Sequence, residues 1–95
     1  MAKIIKVKVQ NMQSSRGTTV PNQFMIWTAD GVYFQSYNTV IAFQDRKNQI
    51  YLDARDWNYS KTTSIYRNQF LGEDTKATER KIQAGIYKLA DLNNR

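Results

Sequence analysis

Apolar and polar positions alternate with a period of two through most of the first half of the chain. The clearest stretch is residues 22–43, NQFMIWTADGVYFQSYNTVIAF. Two alternating runs flank Asp30-Gly31, and a two-residue Asp-Gly loop between such runs predicts a β-hairpin. Setting Ala29 opposite Val32 fixes the expected register. Trp27 then faces Phe34 and Met25 faces Ser36 on a core side, while Thr28 faces Tyr33, Ile26 faces Gln35 and Phe24 faces Tyr37 on the other. That second side mixes aromatic and polar groups, so it is either covered by a helix or open to a ligand.

Residues 3–10, KIIKVKVQ, predict a half-buried strand with Ile5, Val7 and Val9 on one face and Lys6 and Lys8 on the other. Residues 11–19 lack apolar periodicity and read as a loop, and Pro21 suits an edge or first-strand position. After Asn38 the pattern TVIAFQ, a break at DRKN and then QIYLD predict a second hairpin, with Ile41 in phase with Phe43, and with Ile50 and Leu52 turned inward. Ser60 or Thr62 is a candidate N-cap for a helix that carries Ile65, Tyr66, Gln69 and Phe70 at helical spacing and stops at Gly72. A second helix should start at Asp74 or Thr75 and end at Gly85. Its thin stripe of Ala77, Ile82 and Ala84 suits a surface position. IYKLADL closes the chain as a strand. The expected fold class is α+β: a mainly antiparallel twisted sheet of five to six strands with two short helices toward the C-terminus. It forms a single domain over 1–95, with Ile5, Val7, Trp27, Phe34, Ile41 and Leu52 in its core.

Composition changes this picture mainly by exclusion. The chain has 95 residues, 41% of them hydrophobic and 23% charged, with neither histidine nor cysteine. Ser-His-Asp and Cys-His nucleophilic chemistry is therefore impossible, disulfides are excluded, and a zinc site would have to be built from oxygen ligands alone. Of the eight acidic residues, Asp53 and Asp56 are close in sequence, but Arg55 stands between them and the spacing fits no calcium loop. They read as a solvated loop bracing Arg55. We expect no enzyme, no catalytic residue, no metal and no cofactor. No apolar run approaches the ~20 residues of a membrane span, and the N-terminus lacks a signal-peptide pattern. The expected location is cytoplasmic.

Charge adds a candidate partner. The net charge is +6, which favours an anionic partner through phosphate neutralisation, although small proteins also carry such charge for solubility. The candidate site is the second hairpin face, with Tyr33, Gln35 and Tyr37 beside Lys6 and Lys8 of the first strand. Arg16, among the hydroxyls of the 11–19 loop, is a further candidate for an anion or partner contact. Aromatics flanked by basic side chains on a sheet suit single-stranded nucleic acid, and nucleic-acid binding is the expected function. The alternative is a protein-binding effector that occupies or inhibits a host protein, for which a tyrosine-rich surface is equally suited.

The residues SSRGTT (14–19), NQF (22–24), FQSY (34–37), WNYSKTTSIYRNQFLG (57–72) and QAGIYKLADLN (83–93) together resemble an uncharacterised domain family of small bacteriophage and mobile-element proteins. The resemblance covers nearly the whole chain in order. It implies a phage or plasmid origin and expression in a host bacterium's cytoplasm, and it carries no established activity and no site residue.

Overall fold

The structure, a computed structural model, describes residues 7–94, so Ile5 and Lys6 lie outside the described residues. Strands β1 (Lys8–Gln13), β2 (Thr19–Thr28), β3 (Gly31–Ser36), β4 (Thr39–Asp45) and β5 (Ile50–Asp53) precede helices α1 (Lys61–Leu71) and α2 (Thr75–Gln83), and β6 (Lys88–Ala90) ends the fold. The strands form one six-stranded sheet in chain order. All neighbours are antiparallel except β5 and β6, which the helical crossover makes parallel. This is the expected α+β class.

The hairpin β2–β3 forms one step away from the expected register. Thr28 pairs with Gly31, Trp27 with Val32, Ile26 with Tyr33 and Met25 with Phe34. The loop is therefore Ala29-Asp30, with Asp30 N–H donating to Thr28 Oγ1 at 3.1 Å and Thr28 Oγ1 donating to Gly31 O at 3.2 Å. The slip moves every partner by two positions, so each side chain keeps the face that alternation gave it.

Phe34, Ile41, Ala42 and Leu52 are fully buried, and Met12 and Tyr87 nearly so. Met25, Ile50, Trp57, Tyr66, Phe70, Leu71 and Ile82 pack against them. Phe70 of α1 stacks on Phe34 with centroids 5.9 Å apart, and Ser36 Oγ lies 3.0 Å from Thr63 Oγ1 of α1. Both helices thus lie on the Phe34 side of the sheet. Two expectations about the first strand are corrected. Val7 is 59% exposed, and β1 runs on through residues 11–13, which had read as loop, so that Met12 is its core residue. Register explains this, since Val9 pairs with Ile26 on the face away from the helices, Val7 shares its phase, and β1 as the first strand of the sheet has a neighbour on one side only.

A β-bulge decides β4. Phe34 pairs with Ala42, but Gln35 pairs with Val40, which leaves Ile41 as the extra residue. Ile41 and Ala42 are both buried as a result, and Phe43 falls on the opposite face. The expected phase of Ile41 with Phe43 is therefore wrong, although Ile41 itself is core.

The helices follow their caps. Ser60 Oγ accepts from Thr63 N–H at 3.1 Å, and Gly72 ends α1 in the left-handed region at φ 72°. Asp74 Oδ1 accepts from Ala77 N–H at 2.8 Å to start α2. Among the described residues no helix is long and apolar enough to cross a membrane.

Candidate interaction surface

On the face opposite the helices the register lines up one row across the sheet: Val9, Ile26, Tyr33, Phe43, Tyr51 and Lys88. Directly opposed side chains in neighbouring strands stand close enough to pack. Tyr33 and Phe43 stack with centroids 4.3 Å apart and planes 24° apart. Phe43 and Tyr51 follow at 6.0 Å and 23°. The three rings form a ladder whose ring faces lean on one another. Asn11, Phe24 and Gln35 make a second row beside it. No helix covers this face among the described residues, and Tyr33, Phe43 and Tyr51 stay half-buried where core rings would be sealed.

The row ends on a cationic corner. Lys47, Lys88 and Tyr51 line one cavity of about 520 Å³. Asp45 also lines it, but its Oδ1 is turned into the loop, where it accepts from the Lys47 and Gln49 N–H groups, each at 2.9 Å.

Of the residues singled out in the sequence, Tyr33 and Gln35 lie on this face. Tyr37 does not continue the row. It occupies the β3–β4 turn at φ 55°, where Gln35 Nε2 donates to its carbonyl at 2.7 Å. Lys8 is not beside the tyrosines. It pairs across from Trp27 on the helix side of the edge, with Nζ 5.2 Å from the indole centroid. Arg16 sits exposed in the β1–β2 loop, where Ser14 braces the turn by accepting from the Arg16 and Thr18 N–H groups at 3.3 Å each. Lys6 lies outside the described residues. Phe43, Tyr51 and Lys88 were missed. Tyr51 could have been found as the outward partner of Ile50 and Leu52, whereas Phe43 was hidden by the bulge.

Two further polar groups are structural. Asp53 is buried rather than solvated: Oδ1 accepts from Leu92 N–H at 3.0 Å and Asn93 Nδ2 at 3.1 Å, and Oδ2 from Asp56 N–H at 2.9 Å. Arg67 is fully buried. It reaches Trp57 O at 2.7 Å, Thr75 Oγ1 at 2.8 Å and Asn68 Oδ1 at 2.9 Å, with its guanidinium 5.1 Å from the Trp57 ring centroid. Burial lowers its pKa, against the pull of Glu73 and Glu79. Among the described residues no group of three acidic side chains is placed to hold a metal ion.

The architecture defines an α+β protein with a mixed sheet, both helices on one face and an aromatic ladder on the other. The chain belongs to a family of unknown function (DUF8033), which matches residues 7–85. Neither a curated protein nor a solved structure matches it.

Proposed function

We propose that the open sheet face docks another protein, and that the chain is a non-enzymatic, phage-type accessory protein that occupies a host protein in the bacterial cytoplasm. The observation that carries this reading is the uncovered row from Ile26 through Tyr33 and Phe43 to Tyr51. Its rings spend their faces on one another, so what they present outward is edges and apolar atoms that a partner can pack against. Lys8 and Arg16 lie away from the row, so among the described residues the basic side chains singled out in the sequence do not flank it, and this favours a protein over a polyanion. The row's cationic corner favours a second reading, in which single-stranded nucleic acid stacks at Tyr51 with phosphates on Lys47 and Lys88.

The two readings separate in one set of measurements. Partners are captured by cross-linking in the host, then purified and titrated. Tyr33→Glu and Phe43→Ser should each weaken the identified partner by about 30-fold or more, as truncation of interface anchors does, while circular dichroism and the melting curve show the domain still folded. In parallel, labelled oligothymidylate is titrated at several salt concentrations. If Tyr51→Ala weakens that binding by ~1–3 kcal/mol and Lys47→Ala with Lys88→Ala reduces a slope of about −0.7 per phosphate, the nucleic-acid reading replaces the protein one.

A further inference from the structure

A second cavity, of about 500 Å³, opens at the end of the sheet between the β3–β4 turn and the segment 54–60 that leads into α1. Tyr37, Asn38, Thr39, Arg55, Asp56 and Tyr59 contribute to its lining, and among the described residues it shares none with the aromatic row. Its volume falls in the range of small-molecule sites, roughly 300–1,000 Å³.

The two tyrosines are hard to explain by folding alone. Tyr37 holds φ 55°, a left-handed conformation that a ring-bearing residue rarely adopts and that Gly or Asn adopts readily. Its backbone is clamped from both sides, with N–H donating to Asn22 O at 2.6 Å and the carbonyl accepting from Gln35 Nε2 at 2.7 Å. The clamp fixes where the ring stands, yet the residue is 55% exposed, and Tyr59 across the cavity is 71% exposed. Neither ring is placed there to be buried. Strain retained at a cavity wall is the usual mark of a binding position.

Arg55, exposed on the same segment as Tyr59, adds a planar fork suited to phosphate oxygens. Two rings for a planar base, one guanidinium for a phosphate, and the Asn38 and Thr39 side chains for ring and sugar polar groups make a complementary set. A neutral sugar would leave the cation idle, and a simple anion would leave the rings idle. We propose that this cavity binds a phosphorylated nucleoside, its base against Tyr37 and Tyr59 and its phosphate on Arg55. The nucleoside phosphate is either free or the end of a strand.

The test titrates the full chain by calorimetry with AMP, GMP, CMP and UMP. The matching nucleosides, inorganic phosphate and a 5′-phosphorylated octathymidylate are titrated alongside. At least one nucleotide should saturate, with its nucleoside and free phosphate each weaker by about 10-fold or more. Tyr37→Gly is the decisive variant. It relieves the left-handed strain, so the melting temperature should hold or rise, while affinity falls by about 5-fold or more through lost stacking. Arg55→Ala should erase the preference for nucleotide over nucleoside. Binding of the octamer alone, with the same loss in Tyr37→Gly, assigns the site to a strand end. The proposal is overturned if no mononucleotide and no octamer saturates by about 10 mM, or if Tyr37→Gly and Arg55→Ala bind as the parent does.

Discussion

Gly31 shows how a single residue sets the hairpin at the centre of the sheet. Its φ is 145°, and a Cβ built on it would collide with the Gln44 carbonyl oxygen and lie 2.9 Å from Phe43 Cε1. Gly31→Ala should therefore cost on the order of 3 kcal/mol, combining a disfavoured φ with a backbone clash. Urea denaturation reads this directly, and a loss below about 0.5 kcal/mol would mean that the strands can separate locally at no cost. The Asp-Gly loop expected from the sequence calls for positive φ at its glycine, and Gly31 has it. It could not say that the residue sits just past the turn, because Ala-Asp and Asp-Gly loops differ by one step and leave the same side chains on each face. Arg67 was less legible still. In the sequence it is one of 14 basic residues, and only the approach of α1 to Trp57 and Thr75 makes it a buried pin.

At the scale of elements, a polar cluster joins the α1–α2 connection to α2 and the start of β6. Glu73 Oε1 accepts from Lys81 Nζ at 2.6 Å and from Tyr87 Oη at 2.8 Å, and Glu73 Oε2 accepts from Thr78 Oγ1 at 2.7 Å. Burial pushes the Glu73 carboxyl up, but the bonds from Lys81, Thr78 and Tyr87 outweigh it and hold the group below the ordinary 4.5. An acid depressed in the folded state adds stability above its unfolded pKa, and that stability is lost as pH falls through the folded value. The Lys81 ammonium is raised by the Glu73 and Tyr87 bonds, and the Tyr87 phenol is raised by burial and by Glu73. Both contributions are present below the unfolded values of 10.5 and 10.0 and fade as pH rises past the folded ones. Stability should thus show a neutral plateau with an acid limb starting near pH 4.5. Glu73→Gln should flatten the limb, in denaturant melts between about pH 3 and 7, by the share this one carboxylate contributes. An unchanged limb would mean that the Glu73 carboxylate does not set it. The helix limits themselves were legible, since Ser60, Gly72 and Asp74 act locally; the cluster was not, because Glu73 and Tyr87 meet only when α2 folds back.

For the whole molecule the two faces of the sheet predict different costs. Phe34 is fully buried beneath α1, and Phe34→Ala should cost ~3–5 kcal/mol, a large part of the roughly 5–10 kcal/mol that holds such a domain together. Trp27 was expected to be equally deep. It lies near the edge, half-exposed under Lys8, so Trp27→Ala should cost about half as much. Tyr33→Ala, on the open face, should cost about 1–2 kcal/mol, the share of one ladder contact and a half-buried ring. Thermal melts of the three variants rank them directly, and equal shifts would mean that a further element covers the ladder.

The sequence by itself determined both helix segments and the strands apart from the far end of β1, the caps, the side on which Tyr33 and Phe34 fall, and the absence of imidazole and thiol chemistry. Each of these depends on residue type or on spacing within one element. The tertiary structure alone decided which face stays open, because that depends on where the helices return, and alternation is blind to it. It also placed Phe43 and Tyr51 beside Tyr33. The bulge at Ile41 inverts the phase of β4, and cross-strand register depends on pairing between segments that no local pattern encodes.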